Sequence, residues 1–368
     1  MSDLDALTWS QAEQRAAQGD ATSMRELGEK LAAQHAEAAR QVREYERQLA
    51  HVVRVLALTP GRDSLGHLLR LLDETRPSTG RRPVLPFVAS LLAEHHPVAD
   101  LAATVFERRA LDHLEELRDC LFHELVLRGV DADAFEALRA WTIVRPGWHA
   151  LAWLPVRRRG IEAVADFPRR SVNGSSFGVP SQLPVEGHRV DPPTPRTSER
   201  SALRDMATRD VHESIVAAVR AGEWGNHGAW VFLLDEAIEP ERVPALLPTL
   251  PMPCVDGLGP EDRFGVAIRP PDEIWRLLFA TASMGGMFDS GVHGGYGRLW
   301  AWRSIAGLSG APAGASAEEV ERRALQCTWF HFEADTEWFH GDIDSDYGIA
   351  ALSPDRRRIA VLAATDTD

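Results

Sequence analysis

The sequence predicts an α+β protein: an all-α N-terminal helical bundle or short helical-repeat stack, followed by a mainly antiparallel sheet with packed helices. Three observations carry that expectation. Up to about residue 150, apolar residues recur at helical spacing, and Pro or Gly separates the periodic runs. From about 209, short β-rich runs alternate with helical patterns: "AWVFLLDE" (229–236), "RFGVAI" (263–268), "TWFHFEA" (328–334), "YGIAAL" (347–352) and "RIAVLAA" (358–364). Between the two parts the chain is dense in Pro, Ser, Gly and Arg. The expected organisation is a helical domain over 1–153, a linker or surface excursion over 154–208, and an α+β domain over 209–368.

In the helical part, Ser23 and Glu26 form a capping box. Heptads through Leu31, Ala38, Tyr45 and Val52, and through Val42, Leu49 and Leu56, extend one long helix to residue 58, where Pro60-Gly61 stops it. Further helices are expected over 64–75, 84–95, 98–128 and 133–143. In the α+β part, Thr208 or Asp210 caps a helix reaching 221, and Asp272 opens another behind Pro270-Pro271. Helices follow over 296–308 and 316–326. "EWFHGDI" (337–343) reads as a strand forming a hairpin with 328–334. Ser353-Pro354-Asp355 is a tight turn. The last strand is apolar on both faces, which places it inside the sheet.

Composition narrows the chemistry. A hydrophobic content of 44% is enough for real cores. No apolar run approaches the ~20 residues of a membrane helix, and "MSDLDALTWS" lacks the basic and apolar regions of a secretory signal. Cys120, Cys254 and Cys327 make no disulfide framework, and a reducing cytoplasm is expected. A net charge of -14 argues against general nucleic-acid binding. The arginine clusters at 157–159, 169–170 and 356–358 read as solvated loops balanced by acids. Lys30 is the only lysine, as in a GC-rich genome. It lies on an amphipathic helix, so P-loop, Schiff-base and kinase chemistry have no lysine to use.

Three stretches, "GGYGRLWAWRSIAGL" (294–308), "WFHFEADTEWF" (329–339) and the terminal "AVLAATDTD", make residues 209–368 similar to an uncharacterised actinobacterial protein family of unknown function. That resemblance implies a bacterial, cytoplasmic origin and transfers no catalytic residue.

The most unusual stretch is "SMGGMFDSGVHGGYGRLWAW" (283–302). It is neither a dinucleotide fingerprint nor a nucleophile elbow. Two readings stand. Free N–H groups at the helix start, with Asp289, His293, Tyr296, Arg298 and Arg303, form a ligand site for an anion. Alternatively the glycines let backbone pass close to the sheet, with Trp300 or Trp302 in the core, and this second reading is favoured. On the expected hairpin, His331 and Glu333 share one face, as do His340 and Asp342. Matched faces gather a metal site for zinc or iron, and a one-residue slip separates it. "DIDSDYG" (342–348) imitates a calcium loop but misses its glycine and its closing glutamate, so an acidic turn is expected. His113, Glu116, Cys120 and His123 line one side of a helix as boundary polar residues. No catalytic residue is assigned and no cofactor is expected. The functional expectation is a non-enzymatic cytoplasmic bacterial protein-interaction or assembly factor, with a protein partner or self-association through the N-terminal helices, and without membrane or nucleic acid. The absence of a complete catalytic motif, the heptads and eleven tryptophans motivate it. The alternative is an enzyme acting on a small anionic or nucleotide-like substrate, using the glycine loop and the His/carboxylate hairpin.

Overall fold

Apolar stripes and Pro/Gly stops translate into two compact units, Met1–Ala152 and Trp153–Asp368. The computed structural model describes residues 6–37, 42–74, 85–107, 114–145, 147–163, 167–170, 176–177, 188–189, 203, 205–259, 262–286, 291–339 and 346–366.

The first unit is helical: Ala6–Ala17 (α1), Thr22–Glu37 (α2), Val42–Leu58 (α3), Arg62–Glu74 (α4), Leu85–His95 (α5), Glu115–Leu127 (α6) and Glu136–Val144 (α7). The single helix expected over 23–58 is corrected to two helices packed on one another. A Cβ added at Gly28 would stand 3.0 Å from Val52 and 2.9 Å from Leu71. In one straight helix Gly28 and Val52 would be about 36 Å apart. The heptad pattern serves short helices folded onto a shared core just as well as a rod. The helix expected over 98–128 is also divided. Val98–Leu101 runs into a π-turn at Ala102–Phe106, and α6 begins at Glu115.

The second unit contains strands Asn226–Leu233 (β1), Phe264–Arg269 (β2), Thr328–Ala334 (β3), Tyr347–Leu352 (β4) and Arg358–Thr365 (β5). Among the described residues the sheet is antiparallel throughout, in the order His188–Arg189, β2, β3, β4, β5, β1. β5 lies inside the sheet with both faces buried, as its doubly apolar pattern predicts. Alternation sends Phe330 and Phe332 of β3, with Phe232, Phe264, Ile359 and Val361, to one face. There they pack with Val243, Leu247 and Cys254. The other face meets Pro271–Met284 (α10), where Tyr347 Oη lies 2.8 Å from Thr281 Oγ1. The unit's remaining main helices are Arg209–Ile215 (α8), Ala217–Ala221 (α9), His293–Ser309 (α11) and Ala317–Gln326 (α12). Thr208 caps α8 and Ser316 caps α12 through side-chain oxygens. Arg358 closes the far end of α11, donating to Leu308 O at 2.8 Å and Gly307 O at 3.0 Å.

The strand expected over 337–343 is corrected. Residues 337–339 form a turn, with Phe339 N donating to Thr336 O at 3.2 Å, and 340–345 lie outside the described residues. β3 is already paired on both edges, by β2 and β4, so it has no edge left for a hairpin partner.

Glycines set how closely α10 and α11 approach. A Cβ on Gly297 would fall 2.6 Å from Ser283 Cβ and 2.9 Å from its Cα. Gly291, at φ 60°, runs against the backbone of 283–285. The stretch therefore brings helix against helix, where the sequence suggested loop against sheet. Gly297→Ala is expected to destabilise the second unit by about 1–3 kcal/mol through overpacking. Gly66→Ala on α4, where nothing lies within 4 Å, should stabilise the first unit by about 0.5–1 kcal/mol. Denaturant unfolding of the full chain, followed separately in each unit by hydrogen exchange, checks both. An unaffected Gly297→Ala protein would contradict the close crossing.

Candidate functional site

The residues proposed from sequence do not gather into one site. Arg298 is fully buried. Its Nε donates to Glu162 Oε1 at 2.6 Å and its Nη2 to Glu162 Oε2 at 2.8 Å. Nη1 and Nη2 also reach the carbonyls of Pro155 and Arg157, at 2.9 and 3.1 Å. Glu162 is equally enclosed. It accepts from Trp302 Nε1 at 2.8 Å and from Arg159 N at 2.8 Å. Arg303, five residues along the same helix, is turned about 140° away. It is exposed, with its guanidinium 5.1 Å from the Trp300 ring centroid. His293 opens α11 at φ 59°, and both it and Tyr296 are half-buried. Asp289 lies outside the described residues, as do His340, Asp342 and His113.

His331 sits on the helix-facing side of β3, between Ala267 and Ile349, 6.4 Å from the Tyr347 ring. Only 7% of it is exposed, and Nε2 has no hydrogen-bond partner. Burial, reinforced by Arg269, pushes its pKa down to about 4. Glu333, two residues on, shares its face and is half-buried. Among the described residues no group of three or more His, Cys, Asp or Glu is arranged to hold a metal ion.

A different constellation, in the first unit, escaped the sequence reading. Asp119 on α6 is fully buried. Its Oδ1 accepts from Trp141 Nε1 at 3.2 Å, and its Oδ2 lies 2.9 Å from His149 Nδ1. One carboxylate thus holds both α7 and the turn that follows it. Arg118 lies 5.5 Å from the Trp141 ring centroid while its Nε donates to Val105 O, within the π-turn, at 3.0 Å. Phe106 meets the same indole edge-on. Arg145 ties the turn back, with Nη2 donating to Ala152 O at 2.8 Å, and His123 Nε2 lies 3.1 Å from Leu151 O.

This frame presents apolar groups outward. Leu138 and Trp141 form the inner stripe of α7 at i, i+3 spacing. Ile143 falls off that stripe and Val144 continues its spacing at the last helical position; they are 80% and 69% exposed, and Trp148 is 77% exposed. The Trp148 ring lies 5.7 Å from that of His149, edge-on. Asp119, aided by Glu116 and Glu115, raises the His149 pKa against the opposing effect of burial. The available sequence signal was "WTIVRPGW": apolar residues crowded against a Pro-Gly stop.

Residues 6–368 match a protein family described as a family of unknown function, DUF6183. The chain belongs to this family. Membership covers nearly the whole chain, including the helical unit, and so extends well beyond the 209–368 over which a resemblance was seen. No curated protein and no solved structure matches the chain.

Two predictions test these sites. Arg298→Met should destabilise the second unit by about 3–5 kcal/mol, because Glu162 is left charged and buried. Removing both charges together, with Glu162→Met as well, should recover much of that loss. Equal stability of the single variant and the wild type would rule out a structural role for the pair. The two histidines should give opposite pH responses. His331 has a lowered folded pKa, so its neutral form favours folding above pH 6.5. Up to about 3 kcal/mol is lost as pH falls from 6.5 toward 4. His149 has a raised pKa, so its contribution is complete below pH 6.5 and is lost as pH rises through the folded value. Unit-resolved hydrogen exchange across pH, in wild type, His331→Phe and His149→Gln, reads both slopes.

Proposed function

We propose that this protein is a non-enzymatic interaction or assembly factor, working in a bacterial cytoplasm and binding a protein partner through its helical unit. The observation that supports it most is the exposed trio Ile143, Val144 and Trp148 on a frame fixed by Asp119. Exposed aromatic anchors on rigid supports are the usual energetic centres of protein interfaces, because little side-chain entropy remains to be lost on binding. The dominance of arginine over lysine supports an actinobacterial source. No helix among the described residues is long and apolar enough to cross a membrane. The alternative, an enzyme using the glycine stretch to hold an anion, has less support. Arg298 would have to leave Glu162 and two carbonyls to reach a ligand.

The reading is tested by crosslinking and capture from a native lysate with wild type, Trp148→Ser and Ile143→Ser. The wild type should retain a defined protein, and each variant should lose it by about tenfold at unchanged thermal stability. A strictly monomeric wild type that captures nothing, or capture indifferent to both substitutions, would sink the proposal.

A further inference from the structure

We infer that α10 is a detachable cover, which leaves β3 and β4 as one piece, hinged at Gly285, while the sheet beneath it stays folded. The inference starts from how two neighbouring helices treat their buried polar groups. On α11 each buried polar side chain is bonded. Arg298 and Trp302 meet Glu162, Ser304 Oγ accepts from Ala218 N at 2.9 Å, and Ser309 Oγ donates to Ala306 O at 3.3 Å. On α10 the buried side chains with a polar atom are Trp275, Thr281 and Ser283. Thr281 bonds Leu277 O and Tyr347 Oη. Trp275 Nε1 and Ser283 Oγ have no hydrogen-bond partner, although Trp275 is fully buried and Ser283 is only 6% exposed. His331, on the strand against which α10 packs, adds a third such atom in its Nε2.

Packing explains all three. The Trp275 indole is stacked on Phe279, with 5.1 Å between ring centroids, and meets Phe167 edge-on. The close crossing at Gly297 presses on Ser283. His331 is set between Ala267 and Ile349. Apolar contact therefore holds α10 down, and each buried group without a partner offsets part of that contact. When the helix lifts, these groups regain water. Lifting α11 would instead break bonds already made, a buried ion pair among them. The ends of α10 also suit the movement. It starts behind Pro270 without a side-chain cap, and Pro270 and Pro271 have no N–H to tie it. It ends at Gly285, at φ 75°, where glycine turns freely. Its last turn is latched by Thr281 to Tyr347, by Val292 N to Ala282 O at 2.9 Å and by Gly286 N to Gly222 O at 3.1 Å. Opening bares Trp275 and Phe279 on the helix with His331 and Tyr347 on the sheet, all buried in the closed form.

Native-state hydrogen exchange of the full-length protein reads the motion, at low denaturant and where the rate follows the open population. Amides of residues 278–282 should share one opening free energy. They should exchange about 100-fold faster than those of residues 359–363 in β5, with a weaker denaturant dependence. Equal rates and equal denaturant dependence in the two groups overturn the inference, since α10 then opens only with the whole unit. A gradient of rates from the ends of α10 inward also overturns it, in favour of fraying. Ser283→Ala tests the cause. Helix propensity alone slows exchange in α10 by about twofold. Removing a buried, unpaired hydroxyl should slow it by about tenfold. Slowing of twofold or less, or faster exchange, shows that Ser283 does not favour the open form and overturns the account of why α10 lifts.

Discussion

Arg298 and Glu162 meet fully buried, and the second unit is arranged to make that tolerable. Desolvating two charges costs several kcal/mol each unless every lone pair and N–H finds a partner. Here the carboxylate accepts from Arg298, Trp302 and the backbone of Arg159, while the guanidinium also bonds two carbonyls. Those carbonyls belong to Pro155 and Arg157, so the pair pins residues 153–162 along α11. Glu321 on α12 adds to the clamp, accepting from Arg159 Nε at 2.7 Å and from Ile161 N at 3.3 Å. The first residues of the expected linker are thereby part of the second unit.

A parallel constraint operates in the helical unit with one carboxylate. Asp119 gathers an indole and an imidazole, and that one buried carboxylate links α7 to the turn that follows it. The two histidines contrasted above show why environment outranks residue type. His149 faces a carboxylate, which favours its charged form. His331 faces Tyr347 and apolar neighbours with Arg269 nearby, which disfavours it.

Local signals were legible wherever a short stretch decided its own conformation. Thr208 caps its helix because a hydroxyl needs only the N–H three residues on, whereas Ser23 and Asp272, expected to open helices, lie inside α2 and α10. β5 was placed inside the sheet because neither of its faces offers polar groups to water. The turn after Ser353 closes, with Arg356 N donating to Ser353 O at 2.9 Å. Expectations failed where a pattern was compatible with two packings. Heptads through Leu31, Val52 and Leu56 describe a rod and a folded pair of helices equally, since both bury a stripe. Alternation in "EWFHGDI" suggested a strand, but β3 had both edges filled by β2 and β4.

By itself the sequence determined the α+β class, the strands β1 to β5 and the Thr208 cap. These depend on residue type and on spacing of a few positions. Only the tertiary structure decided that the glycine stretch packs helix against helix, that Arg298 points to Glu162, and that Asp119 contacts the residue beside Trp148. Each of these joins residues between 22 and 136 positions apart or depends on which helix face is covered. Periodicity records that a face is buried; it does not record what buries it.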